Sequence, residues 1–401
     1  LKSTNLDDSA VDNIFVNADE VILTSVGNIV IDTKANSLSA NVNAKGNLTV
    51  NQSVKDKLLL KGVSLSNGNI LVNSDAIVEL GSVNVKTDTN VETEAIFDID
   101  GSKISDAVKT DNLITINANS DILIQKVWFG NDESEQVVNN ISGDIVLNSG
   151  GIIKESFGDD EADIIADTID FTAVTGVIEL ETTLNKITNI TTTSGNVILT
   201  EVDRVADTTK GLEIGNISIT ATTDTIVDIT SQNDLLVRAD SLIKGASIIL
   251  ESTEGSISVE TPESYVENDT STDSLVYTEG VSFTAFDTID LYRFFNAPEF
   301  IIYKAGDHFE FGTVSDPESA DFNKSTLVPE NIESDTVILN SGVTISIDGT
   351  ITAKDRLELV SKQNINISGD ILAKDLNISE VYIKATGENT IKSIVDSSGS
   401  G

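Results

Sequence analysis

Cysteine and methionine are absent from this chain of 401 residues, and histidine and tryptophan occur once each. Without cysteine the chain can form neither disulfides nor a Cys-His catalytic pair, and a single histidine excludes zinc sites. A Ser-His-Asp triad could use only His308, which we interpret as an exposed or core-edge histidine. The absence of methionine predicts that Leu1 lies within a longer precursor.

Basic residues are also scarce, since 25 Lys and Arg stand against 65 Asp and Glu, a net charge of −40. Nucleic acids and anionic membrane surfaces are bound by clustered Lys or Arg, so the charge argues against both partners. The chain has no apolar run of roughly 18 residues, and the sequence therefore predicts no insertion into a membrane. A large chain without cysteine suits export, so we expect a secreted or cell-surface, extracellular location.

The sequence does contain a recurring motif, in which Gly and then Asn or Asp precede a short alternating β run. Glycine tolerates a positive φ, and Asn or Asp tolerates it better than most residues, so the pair is expected to form a corner. In the strand that follows, we expect Ile29 and Ile31 to point inward and Val30 outward, and we expect Ile198 to point inward. Copies of the motif begin at Gly27, Gly46, Gly68, Gly143, Gly195, Gly215 and Gly369.

The spacing of these copies predicts the fold. A period of about 20 residues is typical of stacked coils, because one coil cannot bury its own apolar face. The sequence therefore predicts an all-β chain, a single-stranded parallel β-helix or β-solenoid with a proline- and aromatic-rich insertion.

A change in proline and aromatic content divides the predicted solenoid into two parts. All four prolines, eight of 13 Phe and four of five Tyr lie within 262–329, and proline interrupts strand ladders. The predicted organisation is a lead-in or partial cap at 1–18, solenoid at 19–260, an insertion at 261–330, solenoid again at 331–388, and a flexible tail at 389–401.

Aromatic residues at breaks in the pattern are the candidates for ligand contact, because aromatic faces pack on sugars and on partner proteins. The alternative is that most of these rings fill the core of the insertion. The candidates are Trp128, Tyr292, Phe294, Phe295 and Tyr303.

An acidic cluster that follows Phe157 is the candidate metal site. It consists of Asp159, Asp160, Glu161 and Asp163, whose oxygens would suit Ca²⁺. The cluster lacks the spacing of an EF-hand loop, and a solvated acidic loop is the alternative interpretation. Calcium is the one cofactor that the sequence suggests.

Two runs, Phe171–Thr182 and Thr192–Thr200, carry a family resemblance. They resemble the repeats of very large filamentous-haemagglutinin-type exoproteins of bacteria. The resemblance implies a right-handed parallel β-helix that is exported to the cell surface, as a segment of an adhesin or coat protein.

We therefore expect a non-enzymatic structural or adhesive protein that binds glycans or surface proteins of other cells, or copies of itself. One alternative is a calcium-dependent, self-assembling surface-layer protein. The other is a β-helix enzyme that binds or cleaves polysaccharides, for which paired carboxylates would suffice.

Overall fold

A computed structural model of the chain shows an all-β fold, with no helix among the residues that it describes. The predicted fold class is confirmed, because the long sheets are built from parallel strands. The chain divides into unit 1 (Leu1–Ile190, Arg204–Asp207) and unit 2 (Thr191–Asp203, Thr208–Gly401). The described residues are 2–3, 15–53, 56–86, 96–97, 103–105, 112–130, 143–158, 161–202, 211–221, 223–261, 274–291, 295, 297–306, 309–311, 325–328, 331–342, 344–347, 349–373, 380–385, 387 and 389–396.

The strands that begin in unit 1 are short, and most have one buried face. They are β1 (Lys2–Ser3), β2 (Phe15–Val16), β3 (Glu20–Ser25), β4 (Ile29–Thr33), β5 (Ser37–Lys45), β6 (Leu48–Gln52), β7 (Lys57–Asn67), β8 (Ile70–Ser74), β9 (Ile77–Leu80), β10 (Val83–Val85), β11 (Ile96–Phe97), β12 (Lys103–Ser105), β13 (Leu113–Ala118), β14 (Ile122–Ile124), β15 (Val127–Phe129), β16 (Asp144–Ser149), β17 (Ile152–Glu155), β18 (Ile164–Ile165), β19 (Thr168–Ala173), β20 (Gly176–Thr183) and β21 (Lys186–Thr192).

The strands that begin in unit 2 follow the same plan. They are β22 (Val197–Glu201), β23 (Leu212–Ile219), β24 (Ile226–Ser231), β25 (Leu235–Val237), β26 (Ile243–Lys244), β27 (Ser247–Ser252), β28 (Ile257–Val259), β29 (Leu275–Val276), β30 (Gly280–Ala285), β31 (Ile289–Leu291), β32 (Phe300–Ala305), β33 (Phe309–Phe311), β34 (Ser325–Val328), β35 (Ile332–Ser341), β36 (Thr344–Ile347), β37 (Ile351–Ser361), β38 (Ile365–Ala373), β39 (Glu380–Ala385) and β40 (Asn389–Asp396).

Unit 1 contains two parallel ladders, to which successive coils contribute in turn. The first ladder runs β3–β5–β7 and then continues as two branches, β9–β14–β17 and β10–β15–β18. The second ladder runs β4–β6–β8–β13–β16–β19. Among the described strands, β11 and β12 form an antiparallel pair outside both ladders.

Unit 2 repeats this arrangement. One parallel ladder runs β22–β24–β27–β30–β32–β35–β37–β39, and another runs β23–β25–β28–β31–β33. Strands β34, β36, β38 and β40 pair in that order. Because inward side chains of one coil lie above those of the next, the core of each unit is a column of mainly aliphatic side chains with some aromatic rings.

The inward and outward alternation was predicted correctly in one strand and wrongly in another. Ile29 and Ile31 are buried and Val30 is half-buried, as expected. In β22, however, Val197 is buried and Ile198 is half-buried, so the prediction for Ile198 is wrong. In the copies that begin at Gly27, Gly46, Gly68, Gly143, Gly195 and Gly215, the first and third residues after the Gly-Asn or Gly-Asp pair are buried, and Ile198 is the second.

The corner glycines lie directly above one another. A Cβ atom on Gly68, where φ is +132°, would lie 2.1 Å from the carbonyl oxygen of Gly46. A Cβ atom on Gly46 would lie 2.7 Å from the carbonyl carbon of Gly27. Close approach of successive coils therefore requires glycine at both positions, and at Gly68 the backbone conformation requires it as well.

The corner asparagines join each coil to the next through hydrogen bonds. The Oδ1 atom of Asn28 accepts from the backbone N–H of Asn47 at 2.9 Å, and that of Asn47 accepts from the N–H of Asn69 at 2.9 Å. Asn69 Oδ1 in turn accepts from the N–H of Leu113 at 3.0 Å. These side chains satisfy backbone donors at the corners, where the ladders stop.

A second row of side-chain bonds, here called the amide ladder, crosses the outer face of the second ladder of unit 1. Each amide nitrogen donates to the oxygen of the preceding side chain, at 2.8, 2.9, 2.8 and 2.8 Å in turn. The amide ladder consists of Asp32, Asn51, Asn73, Asn117 and Asn148.

The structure corrects the predicted insertion at 261–330. Its described strands β30 and β32 pair in parallel with β27 and with β35, and so they are ordinary coils of unit 2. Phe283 and Tyr303 occupy the same inward row and stack at 5.3 Å, and Phe295 meets Phe283 edge-on at 6.5 Å. Pro298 lies just before β32, where it interrupts no ladder.

The C-terminal end of the chain differs from the prediction as well. Strand β40 pairs in parallel with β38, so residues 389–396 of the predicted flexible tail belong to the solenoid. Residues 397–401 lie outside the described residues. In the predicted lead-in, β1 pairs with β3 and β2 with β4, and the rest of 1–14 lies outside the description.

The corrected register of β22 can be tested by two truncations. Leu199→Ala should lower the free energy of unfolding by about 2–5 kcal/mol, because it opens a cavity in the core. Ile198→Ala should cost only about 1 kcal/mol, because the Ile198 side chain is already half in water. Thermal and urea unfolding would measure both variants, and equal losses would contradict the register.

Candidate functional site

A groove of about 610 Å³ lies on the outer face of the first ladder of unit 1. Its volume is in the range that is usual for small-molecule sites. The lining residues come from β3, β5, β7, β10, β15 and the turns beside them. They are Ile22, Leu23, Thr24, Ser39, Ala40, Asn41, Gly62, Val63, Ser64, Ser82, Asn84, Lys86 and Trp128.

Parallel register assembles the groove from residues far apart in the sequence. Two outward positions recur on each strand, and the residues between them, such as Ala40, turn their side chains into the core. One row of in-register residues is Ile22, Ser39 and Gly62 in bulged pairing. The other row is Thr24, Asn41, Ser64, Asn84 and Trp128.

Among the described residues that line the groove there is no carboxylate, although the chain has 65 acidic residues. The one charged residue in this described lining is Lys86, which makes no ion pair within the described part of the chain. Ile22 adds an apolar side chain that is 60% exposed. The surface is therefore uncharged and polar, with a small apolar patch and one cation.

Most polar side chains of the groove have unused hydrogen-bonding capacity. No side-chain hydrogen bond within the described residues involves any of the five hydroxyl and amide groups at Thr24, Ser39, Asn41, Ser64 and Ser82. Asn84 is the exception, since its Nδ2 atom donates to the carbonyl oxygens of Trp128 and Gly130 at 3.2 and 2.9 Å. The buried Nε1 atom of Trp128 finds no partner among the described residues.

A second groove, of about 570 Å³, follows the amide ladder and shows the opposite property. Its amides are bonded to one another, and Asn119 Nδ2 donates to Asp75 Oδ1 at 2.9 Å. It is also lined by two carboxylates, Asp32 and Asp75. Because its polar groups are paired internally, this second groove offers a ligand less than the first.

The structure places the aromatic candidates in three different settings. Trp128 lines the groove and is 8% exposed. Phe295 and Tyr303 are fully buried in the core of unit 2, where the Tyr303 hydroxyl donates to the Phe295 carbonyl oxygen at 2.9 Å, so they offer no surface to a ligand. Tyr292 and Phe294 lie outside the described residues, as does His308.

A carboxylate cluster forms a separate constellation in unit 1. Glu155, Asp163 and Glu181 each place a carboxylate oxygen within 4.8 Å of the others. Glu155 continues an inward row, since it pairs in register with the core residue Ile124. Asp163 is 2% exposed and its Oδ2 accepts from the backbone N–H of Glu181 at 3.1 Å.

Burial raises the pKa of Asp163 to about 8, and the neighbouring charges of Glu155 and Glu181 add to this rise. Three negative charges this close are unfavourable inside a protein, so the cluster holds a proton near neutral pH. A cation in the same place would have the same effect. Oxygens on opposite sides of a bound Ca²⁺ are roughly 5 Å apart, which the spacing of the cluster matches.

The cluster only partly matches the predicted calcium ligands. Asp163 is common to both sets. Glu161 instead is exposed and forms an ion pair with Lys126 at 3.4 Å. Asp159 and Asp160 lie outside the described residues.

None of the described residues form a helix that is long and apolar enough to cross a membrane. Comparison with protein-family models, with curated proteins and with solved structures finds no match to this chain.

The raised pKa of Asp163 predicts a pH dependence of stability. The folded chain binds a proton that the unfolded chain releases above the ordinary Asp pKa of 3.8. This contribution to stability is therefore fully present below about pH 4 and is lost as the pH rises through about 8. Asp163→Asn, which cannot lose a proton, should flatten the fall in melting temperature between these values.

Glu161→Gln is the matched control, because Glu161 is exposed and lies outside the carboxylate cluster. Its melting temperature should follow the parent curve across the same pH series. An Asp163→Asn curve parallel to the parent would show that the buried carboxyl does not govern this slope.

Calcium should replace the proton in the carboxylate cluster. At pH 8 we expect millimolar Ca²⁺ to raise the melting temperature of the chain, and to do so less at pH 5, where the proton competes. Asp163→Asn should lose most of this gain, whereas Glu161→Gln should keep it. A gain that is equal in both variants would place any calcium site elsewhere.

Proposed function

We propose that the chain is a non-enzymatic, extracellular structural and adhesive protein, a segment of a bacterial surface adhesin or fibre. The observation that carries the proposal is the groove, where polar side chains without a side-chain hydrogen bond to any described residue are held in register on parallel strands. Binding residues are commonly displayed on a rigid scaffold in this way. The resemblance of Phe171–Thr182 to filamentous-haemagglutinin-type repeats supports export to a cell surface.

The scaffold supports a structural role within each unit. Corner side chains such as Asn47 bond to the next coil, and the amide ladder ties five outward side chains together. These bonds add to the backbone ladders and to the aliphatic core, so a coil cannot tilt without breaking several contacts. A stiff support is what a surface-displayed binding site requires.

The lining of the groove favours binding over cleavage. Hydrolysis of a glycoside usually requires two carboxyl groups that flank the bond, and none of the described lining residues carries one. The carboxylate cluster contains an acid with a raised pKa, but Asp163 is 2% exposed and a polysaccharide has no access to it. These observations support an adhesive role over the polysaccharide-cleaving alternative.

The position of the carboxylate cluster also bears on the surface-layer alternative. Calcium that links subunits of a lattice would need exposed carboxylates on two copies. Glu155, Asp163 and Glu181 lie together in one unit and are buried or half-buried. A cation there would stabilise a coil of unit 1 and would not itself link two copies.

The proposal predicts that the chain adheres to cells and remains a single copy. Beads coated with the purified chain should be retained on at least one of several bacterial and animal cell types. Beads coated with an unrelated protein of similar negative charge should not be retained. Light scattering and negative-stain imaging should show single copies both with calcium and with a chelator.

Two outcomes would contradict this function. Absence of retention on every cell type would remove the adhesive role. Calcium-dependent sheets or filaments in the images would instead support the surface-layer alternative.

A further inference from the structure

We infer that the groove binds an uncharged oligosaccharide through the side chains of Thr24, Asn41, Ser64 and their neighbours. The inference rests on the proposed adhesive function and names the class of ligand that this function would use. The proposed site is this one surface of unit 1, and the proposed ligand is a neutral sugar chain.

Charge narrows the choice of ligand. A cationic peptide would be attracted to carboxylates, yet the described lining residues include none in a chain whose net charge is −40. A nucleic acid would need several cations, and Lys86 is the one cation among these described lining residues. The groove is therefore suited to an uncharged partner.

Backbone pairing and the small apolar area of the groove argue against two classes of peptide ligand. A peptide that adds as a β-strand needs an open sheet edge, but the groove lies on a sheet face whose strands β3, β5 and β7 already pair with one another. An amphipathic helix needs a broad apolar surface, and among the described lining residues only Ile22 and Trp128 supply large apolar side chains on the outer face.

An uncharged sugar chain matches the polar, mostly uncharged surface of the groove. Its hydroxyls both donate and accept hydrogen bonds, as can the side chains of Ser39, Asn41 and Ser64, which form no side-chain hydrogen bond with the described residues. The apolar faces of its rings can pack on Ile22, which is 60% exposed, and at the Trp128 end of the groove. Gly62 leaves the middle of the groove open, since a Cβ atom there would have no neighbour within 4 Å.

The same open position supplies the test variant. Gly62→Tyr should fill the groove without a clash at Cβ and without a left-handed backbone. Gly158→Tyr is the matched control, because a Cβ atom on Gly158 also has no neighbour within 4 Å and Gly158 does not line the groove. Equal melting temperatures would show that both variants fold.

The experiment uses the full chain and the fluorescence of Trp128, its sole tryptophan. Neutral oligosaccharides of glucose, galactose, mannose and N-acetylglucosamine are titrated, with acidic oligosaccharides of matched length beside them. At least one neutral sugar should give a saturable change in emission for the parent chain and for Gly158→Tyr. Gly62→Tyr should weaken its binding by about tenfold or more, because the added ring occupies the site.

Three outcomes would overturn the inference. The first is that no neutral oligosaccharide binds, or that only acidic ones bind. The second is that Gly62→Tyr binds as tightly as Gly158→Tyr. The third is a dimer of the parent chain that Gly62→Tyr abolishes, which would make the groove an interface between copies.

Retention of coated beads separates this inference from the proposed function. If Gly62→Tyr beads adhere to cells as well as the parent does and no neutral sugar binds, the groove is not the adhesive site but adhesion stands. If parent beads adhere to no cell, the adhesive function itself fails, whatever the fluorescence shows.

Discussion

Parallel, in-register stacking is the constraint on which the rest of this structure depends. Strands about 4.8 Å apart place each residue directly over its counterpart one coil earlier, so like residues stack on like. Glycine over glycine is needed at Gly46 and Gly68, and asparagine over asparagine forms the amide ladder. A carboxylate can only accept hydrogen bonds, which explains why Asp32 ends the amide ladder and does not lie inside it.

The fold could be predicted because each repeat has a local sequence signature, namely a glycine corner followed by residues that alternate between inward and outward positions. The error at Ile198 came from ignoring the position after the corner, which the copies themselves indicate. The predicted insertion failed for a different reason. Aromatic residues and proline were interpreted as a break, but Phe283 and Tyr303 stack in one inward row, and Pro298 lies before a strand.

The candidate site was less accessible to sequence reasoning. Trp128 stood out because it is unique, but Ser39, Asn41 and Ser64 resemble many other polar residues until register brings them together. In the carboxylate cluster, the density of acids after Phe157 indicated Asp163 but not its partners. A usable signal was present in Ile153-Lys154-Glu155, where alternation already placed an acid at an inward position.

The corner bonds have a consequence for how such a chain can change its length. Asn28 receives the N–H of Asn47, and Asn47 receives that of Asn69, so neighbouring joints have the same donor and acceptor. Loss of 47–68 as a block would bring Asn69 over Asn28 with the joint chemically unchanged. Evolution can therefore shorten or extend unit 1 there by whole coils without changing the chemistry of the joint.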